Sequence, residues 1–170
     1  MAKSSAAPRQ SLQRKRASRL AAVQALYARH LQGDTFAPAT MVQHISQSWA
    51  DSKTYEQNDL PYETQPEQSL LLALVSSAIT HEAVIETTIE TVILPHWKKS
   101  RMSLPLLSTL RIAAAEALAF PKKARGMLVE EYTEITAQLV GDEEIAYAHK
   151  AFNLLLDALA SPDTRTAEHG

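Results

Sequence analysis

The sequence predicts an all-α protein, a bundle of about seven helices arranged in two halves. Three observations carry that expectation. Apolar residues recur at steps of three and four through most of the chain, as in Leu20, Val23, Tyr27 and Leu31. Helix stop and start signals fall between those runs: Gly33, Pro95, Ser103 with Pro105, Pro121 and Gly141. No stretch offers the turn-bounded alternation that a credible sheet requires.

Residues 1–10, MAKSSAAPRQ, are small and polar, with too little apolar surface to offset the entropy of ordering. They predict a mobile basic arm, closed by residue 13. The helical pattern starts at Ser11, and one folded domain is expected over 14–160, its halves covering about 14–82 and 83–160. Val42, Ile45 and Trp49 define a second helix. Asp51–Glu67, with two prolines and little periodicity, reads as a long loop. Leu70–Ile79 is apolar on more than one face, as a central bundle helix should be. A break near His81 separates it from Ile85, Ile89, Val92 and Ile93, which end at Pro95. Here the three/four spacing must overrule a crowd of β-branched residues.

Ser103 predicts an N-cap, with Pro105 in the first turn where its missing N–H does no harm. Leu106, Leu107, Leu110, Ala114, Ala117 and Leu118 then form a buried stripe that Pro121 ends. Met127, Leu128, Tyr132, Ile135 and Leu139 define the next helix, with Gly141 placed as a left-handed C′ residue. Asp142 is the expected N-cap of the last helix, whose inner face holds Ile145, Phe152, Leu155, Leu156 and Leu159. Residues 161–170 read as a frayed tail. Trp49 and Trp97 read as core, and Asn153 as a buried amide tying helices together.

Of 170 residues, 45 % are hydrophobic and 21 % charged, so the chain carries enough apolar material to fold unaided. Cysteine is absent, which removes disulfides, thiolate metal sites and cysteine nucleophiles, and suits a cytoplasmic protein. No apolar run approaches the roughly 20 residues that span a bilayer, so no membrane is expected among the partners. The first 30 residues hold Lys3, Arg9, Arg14, Lys15, Arg16, Arg19 and Arg29 and no acid. The remainder is net acidic. That asymmetry points to a local anion-binding surface. A mitochondrial presequence shares the composition, but Leu20–Leu31 reads as part of the fold.

Enzyme constellations fare poorly. Glu82, Glu86 and Glu90 share a helix face beside His81, yet the Glu-x-x-His spacing of carboxylate-bridged metal bundles is missing from the chain. Glu130, Glu131 and Glu134 repeat the pattern, and both clusters read as solvated acidic faces. Six scattered histidines and four glycines build neither a zinc motif nor a phosphate loop. No catalytic residue, metal or cofactor is expected. The basic stretch RKRASRL, Arg14–Leu20, survives better, because Arg16 projects onto the stripe of Leu20, Val23 and Tyr27 and must lie at the bundle's rim. Cations at a helix N-terminus also oppose the macrodipole, a penalty that an anionic ligand relieves.

Four segments, in order, resemble the family of the transcription antitermination factor NusB. Arg16-Ala-Ser-Arg19 followed by Val23-Gln24-Ala25-Leu26-Tyr27 resembles that family's opening helix. LRIAAAEAL (Leu110–Leu118), EEYTEITAQLVGDEE (Glu130–Glu144) and AFNLLLD (Ala151–Asp157) are similar to its central helix, its NEYVEIA stretch and its FVNGVLD signature. Glu130, Ala151 and Leu154 depart from the family pattern. The resemblance implies an all-helical, non-catalytic protein of two packed three-helix-type halves that binds a boxA-like single-stranded leader RNA together with the ribosomal protein NusE and joins the RNA polymerase antitermination complex during ribosomal RNA transcription. It further implies that Lys15, Arg16 and Arg19 contact RNA, with Lys150 and Phe152 extending the surface. Cations plus an aromatic match what single-stranded RNA offers. Tyr27 and Leu106 fall where members meet NusE, and for Tyr27 core packing is an equal alternative. Two readings of other classes stand beside this one: a helical adaptor that has lost RNA binding, and a metal-carboxylate bundle enzyme.

Overall fold

The computed structural model describes residues 2–33, 36–51, 64–98 and 102–160. Among them are seven α-helices and no strand. They are α1 (Ala2–Gln32), α2 (Pro38–Asp51), α3 (Gln68–Thr80), α4 (Glu82–Thr88), α5 (Leu104–Ala119), α6 (Arg125–Leu139) and α7 (Asp142–Ala160). A five-residue π turn, Ile89–Ile93, continues α4. The chain forms two compact units, Met1–Ser76 and Ser77–Gly170. The division falls inside α3, earlier than the seam the sequence suggests.

In the first unit α1 packs on α2. Helix α1 begins at Ala2, where the sequence suggests an arm. Ala2, Lys3, Ala6, Ala7, Arg9 and Gln10 are good helix formers, and a helix already nucleated by its buried part extends at little cost. From Ala17 to Val23 every residue is buried. Gly33 closes α1 with φ +63°, the left-handed conformation that glycine adopts without a Cβ clash. Trp49 of α2 is fully buried and its Nε1–H donates to Gln24 Oε1 at 2.8 Å, so the indole's one polar atom is satisfied in the core. The expected loop over Asp51–Glu67 lies mostly outside the described residues. Its end, Thr64–Glu67, is held to α1: Ser18 Oγ accepts from Glu67 N–H at 2.7 Å and donates to Arg14 O at 2.8 Å.

In the second unit α5, α6 and α7 pack pairwise, and α4 with its π turn lies on α7. The β-branched run does fold as a helix. Thr88 and Thr91 hydroxyls donate back to Val84 O (2.7 Å) and Thr87 O (2.9 Å), which absorbs their polarity along the helix. The helix then widens into the π turn, where Leu94 N–H donates to Ile89 O at 3.0 Å.

Ser103 caps α5 as its sequence predicts: its backbone is extended and its Oγ accepts from Leu106 N–H at 3.3 Å. Glu144 adds a second layer by accepting from Ser103 N–H (2.7 Å) and Oγ–H (3.0 Å), tying the start of α7 to the start of α5. Ser103→Ala removes both side-chain bonds and is expected to cost about 1–2 kcal/mol in urea unfolding.

Gly141 is not left-handed. It is the N-cap of α7, its carbonyl accepting from Glu144 and Ile145, and Asp142 is the first helical residue. Only Val140 and Gly141 join α6 to α7, too few for a separate C′ residue and cap. On α6, Met127 is 39 % exposed, so the inner stripe starts at Leu128, one residue later than expected, and takes in Val129 beside it. Asn153 is half-buried and bonds back onto its own helix through His149 O at 3.1 Å.

Candidate nucleic-acid interface

The cations of α1 divide by position. Lys15 and Arg16 are half-exposed, whereas Arg19 keeps only 4 % of its surface. Arg16 and Arg19 both interact with other groups of the chain. Arg14 is exposed and its guanidinium lies at 3.4–3.5 Å from Gln65 O and Pro66 O, distances of weak bonds. Because α1 starts at Ala2, Arg14–Arg19 sit several turns inside the helix. The macrodipole penalty, confined to the first turn, does not act on them. What remains of the sequence argument is the crowding of positive charge on one short stretch. Arg19 belongs to the packed part of α1, where a guanidinium needs a partner within the chain and offers a phosphate almost nothing. Tyr27 is half-buried, which suits a ring with an apolar body and a polar tip.

In the second unit Lys150 is exposed on α7, but Phe152 has no exposed surface and its ring lies 6.2 Å from that of Tyr132. Leu106 is likewise fully buried, in the first turn of α5. Neither side chain reaches a partner from there. Both are packing residues, because an apolar side chain on the inward face of a three-helix unit gains more from burial than from a wet surface.

The structure adds a feature the sequence reading missed. Trp97 is half-exposed, not core. Its ring stacks on Tyr147 with centroids 5.8 Å apart and planes 25° apart, and His96 tilts against it at 5.8 Å. His96, Trp97, Lys150 and Leu154 line a hollow of about 440 Å³. Tyr147, Lys150 and Leu154 follow helical steps of three and four, so one face of α7 presents an aromatic, a cation and an apolar floor together. A signal was available in the three/four spacing of those residues. The meeting of Trp97 with a tyrosine far along the chain had none.

The carboxylate clusters resolve as separate surface groups. Glu82 and Glu90 are exposed, and Glu86 accepts from Arg111 of α5 through both oxygens, at 2.6 and 3.3 Å. Among the described residues, no group of three or more His, Asp or Glu side chains is placed to hold a metal. Among the same residues no single helix is long and apolar enough to cross a membrane.

Comparison with known proteins agrees with the resemblance read from the four segments. The chain is 28 % identical over 136 residues to the transcription antitermination protein NusB of Hyphomonas neptunium, covering 80 % of this chain and 84 % of that one. No solved structure gives a significant match. The model of the NusB family matches residues 16–148, from the basic stretch of α1 into α7, and the chain belongs to that family.

Proposed function

We propose that this protein acts in transcription antitermination as a non-catalytic factor that binds single-stranded leader RNA of the boxA type. The observation that carries the reading is the Trp97–Tyr147 stack beside Lys150. A flexible single strand exposes base faces and phosphates in alternation, and an aromatic platform next to a cation meets both. Lys15 and Arg16 of the first unit supply further phosphate contacts. Tyr27 is the docking residue for NusE, and the loaded assembly joins RNA polymerase in the cytoplasm. Support for the partners comes from membership of the NusB family and from the name of the Hyphomonas relative.

The test is fluorescence anisotropy of a labelled ribosomal leader RNA, titrated at several salt concentrations with and without NusE. Three phosphate contacts, from Lys15, Arg16 and Lys150, give an expected slope of log K against log salt near −2, at roughly −0.7 per contact on a single strand. Lys15→Ala and Lys150→Ala should each flatten that slope by somewhat under one unit. A slope unchanged in both variants removes the proposed surface.

A second reading, a helical adaptor with weakened RNA binding, draws support from the burial of Arg19 and Phe152, two of the five residues the family resemblance assigns to RNA. Retention of NusE by the immobilised protein, with no retention of leader RNA, would select it.

A further inference from the structure

The hollow beside Trp97 holds one more group able to carry charge, and the RNA reading leaves it unused. His96 is exposed, and its ring tilts against that of Trp97 with centroids 5.8 Å apart and planes at 57°. Its backbone N–H donates to Ile93 O at 3.0 Å, and that of Trp97 donates to the same oxygen at 3.1 Å, so the end of the π turn sets the starting point of both rings. The imidazole lines the hollow together with Lys150 and Leu154.

Histidine is the side chain whose charge changes between about pH 5 and 8. The groups around His96 decide what that change does. Across the hollow α7 presents the ammonium of Lys150 and the phenol of Tyr147, and the turn itself adds the exposed Lys98. Among the described residues no carboxylate lines the hollow. An imidazolium there stands beside a like charge, and a phosphate drawn between the two turns that repulsion into attraction on both sides. The indole favours the same form, since a cation within about 6 Å of its centroid is attracted by the ring quadrupole. Anion binding and protonation of the ring therefore strengthen one another, and by the same factor.

We propose that His96 is a pH-responsive contact of the RNA site, whose protonated ring grips a phosphate of the strand alongside Lys150. The protein then holds leader RNA more tightly as pH falls through the imidazole range, and takes up a proton on binding. The inference rests on the reading of this hollow as part of the RNA surface, to which it adds a residue and a means of regulation.

The experiment is anisotropy of the labelled ribosomal leader RNA with the full chain at about pH 5.5 and about pH 8, at matched salt concentrations. The parent chain should bind about two- to fivefold more tightly at the lower pH, the scale of one exposed ion pair. Its slope of log K against log salt should steepen there by up to roughly 0.7. His96→Gln should bring the ratio of the two affinities close to one. His96→Lys, cationic at both pH values, should bind at the higher pH as tightly as the parent does at the lower. His149→Gln removes a neighbouring exposed imidazole that does not line the hollow, and should keep the parent's ratio. Circular dichroism at both pH values monitors the helices. Equal affinity of the parent chain at the two pH values overturns the inference and leaves the RNA reading standing, as does a ratio that survives in His96→Gln or is lost in His149→Gln. An absence of binding at both pH values removes the RNA reading and this inference with it.

Discussion

Trp97→Ala is expected to weaken binding of single-stranded leader RNA by about five- to a hundredfold, the range for losing one base–aromatic stack, while leaving its salt dependence unchanged. The two halves of that statement separate stacking from charge. Trp97 carries no formal charge, so its removal takes away contact with a base face and releases no counterion. Lys150, in the same hollow, has the opposite signature: its loss shifts the slope, with a more modest fall in affinity at physiological salt. Because Trp97 is half-exposed, its truncation should leave the helical signal intact, and anisotropy titrations of the two variants at matched salt concentrations read both effects. Equal affinity of Trp97→Ala and the parent chain would mean that the aromatic stack serves only to pack Tyr147.

The largest expected loss of stability comes from Lys123→Met, at about 3–5 kcal/mol, the cost of leaving one member of a buried ion pair uncompensated. Glu116 of α5 has no exposed surface. Its two oxygens accept from Lys123 Nζ at 2.7 Å and from Tyr132 Oη–H at 2.6 Å, one cationic donor and one neutral. Lys123, by contrast, retains 27 % of its side-chain surface and lies 4.2 Å above the Phe120 ring. The asymmetry sets the order of the variants. Removing the lysine takes the cationic donor away from a carboxylate that has no exposed surface in the core of the second unit. Removing the carboxylate with Glu116→Gln leaves an ammonium that can turn to water, and the new amide oxygen can still accept from Tyr132. Urea unfolding should therefore rank Lys123→Met as the more damaging change. A reversed order would show that the lysine is held loosely and that the phenol supplies most of the compensation.

The helices were legible because burial demands periodicity: Leu110 and Ala114, or Ile135 and Leu139, cannot share an inward face at any other spacing. Ser103 and Pro105 were legible because a helix start needs an acceptor and tolerates a missing donor. The sites were less so, and for definite reasons. Arg19 stands two residues from Ala17 and one from Leu20, and single-residue steps around a fully packed turn decide whether a guanidinium meets solvent or protein. The AFNLLLD segment shows the same sensitivity, since an aromatic moved one place along a helix turns through about 100°, from a rim position to the core. Trp97 reads as core in the sequence, whereas its ring stacks on Tyr147, some fifty residues away along the chain. Gly141 reads equally well as a helix end or a helix start, because glycine suits both, and only the length of the connection tells which one it serves.

The π turn at Ile89–Ile93 makes the length of that segment a phase setting. A π turn is an α-helix carrying one residue too many, and the hydrogen bonds from His96 and Trp97 N–H back to Ile93 O continue the winding straight into the indole. Excising any one of those five residues would relax the winding to ordinary pitch and swing Trp97 through about 100° of azimuth. The tolerance of this stretch is thus for exchange of its exposed side chains, Glu90 and Thr91, and not for change of count, and what looks like an irregularity of the backbone is the clockwork that aims the indole.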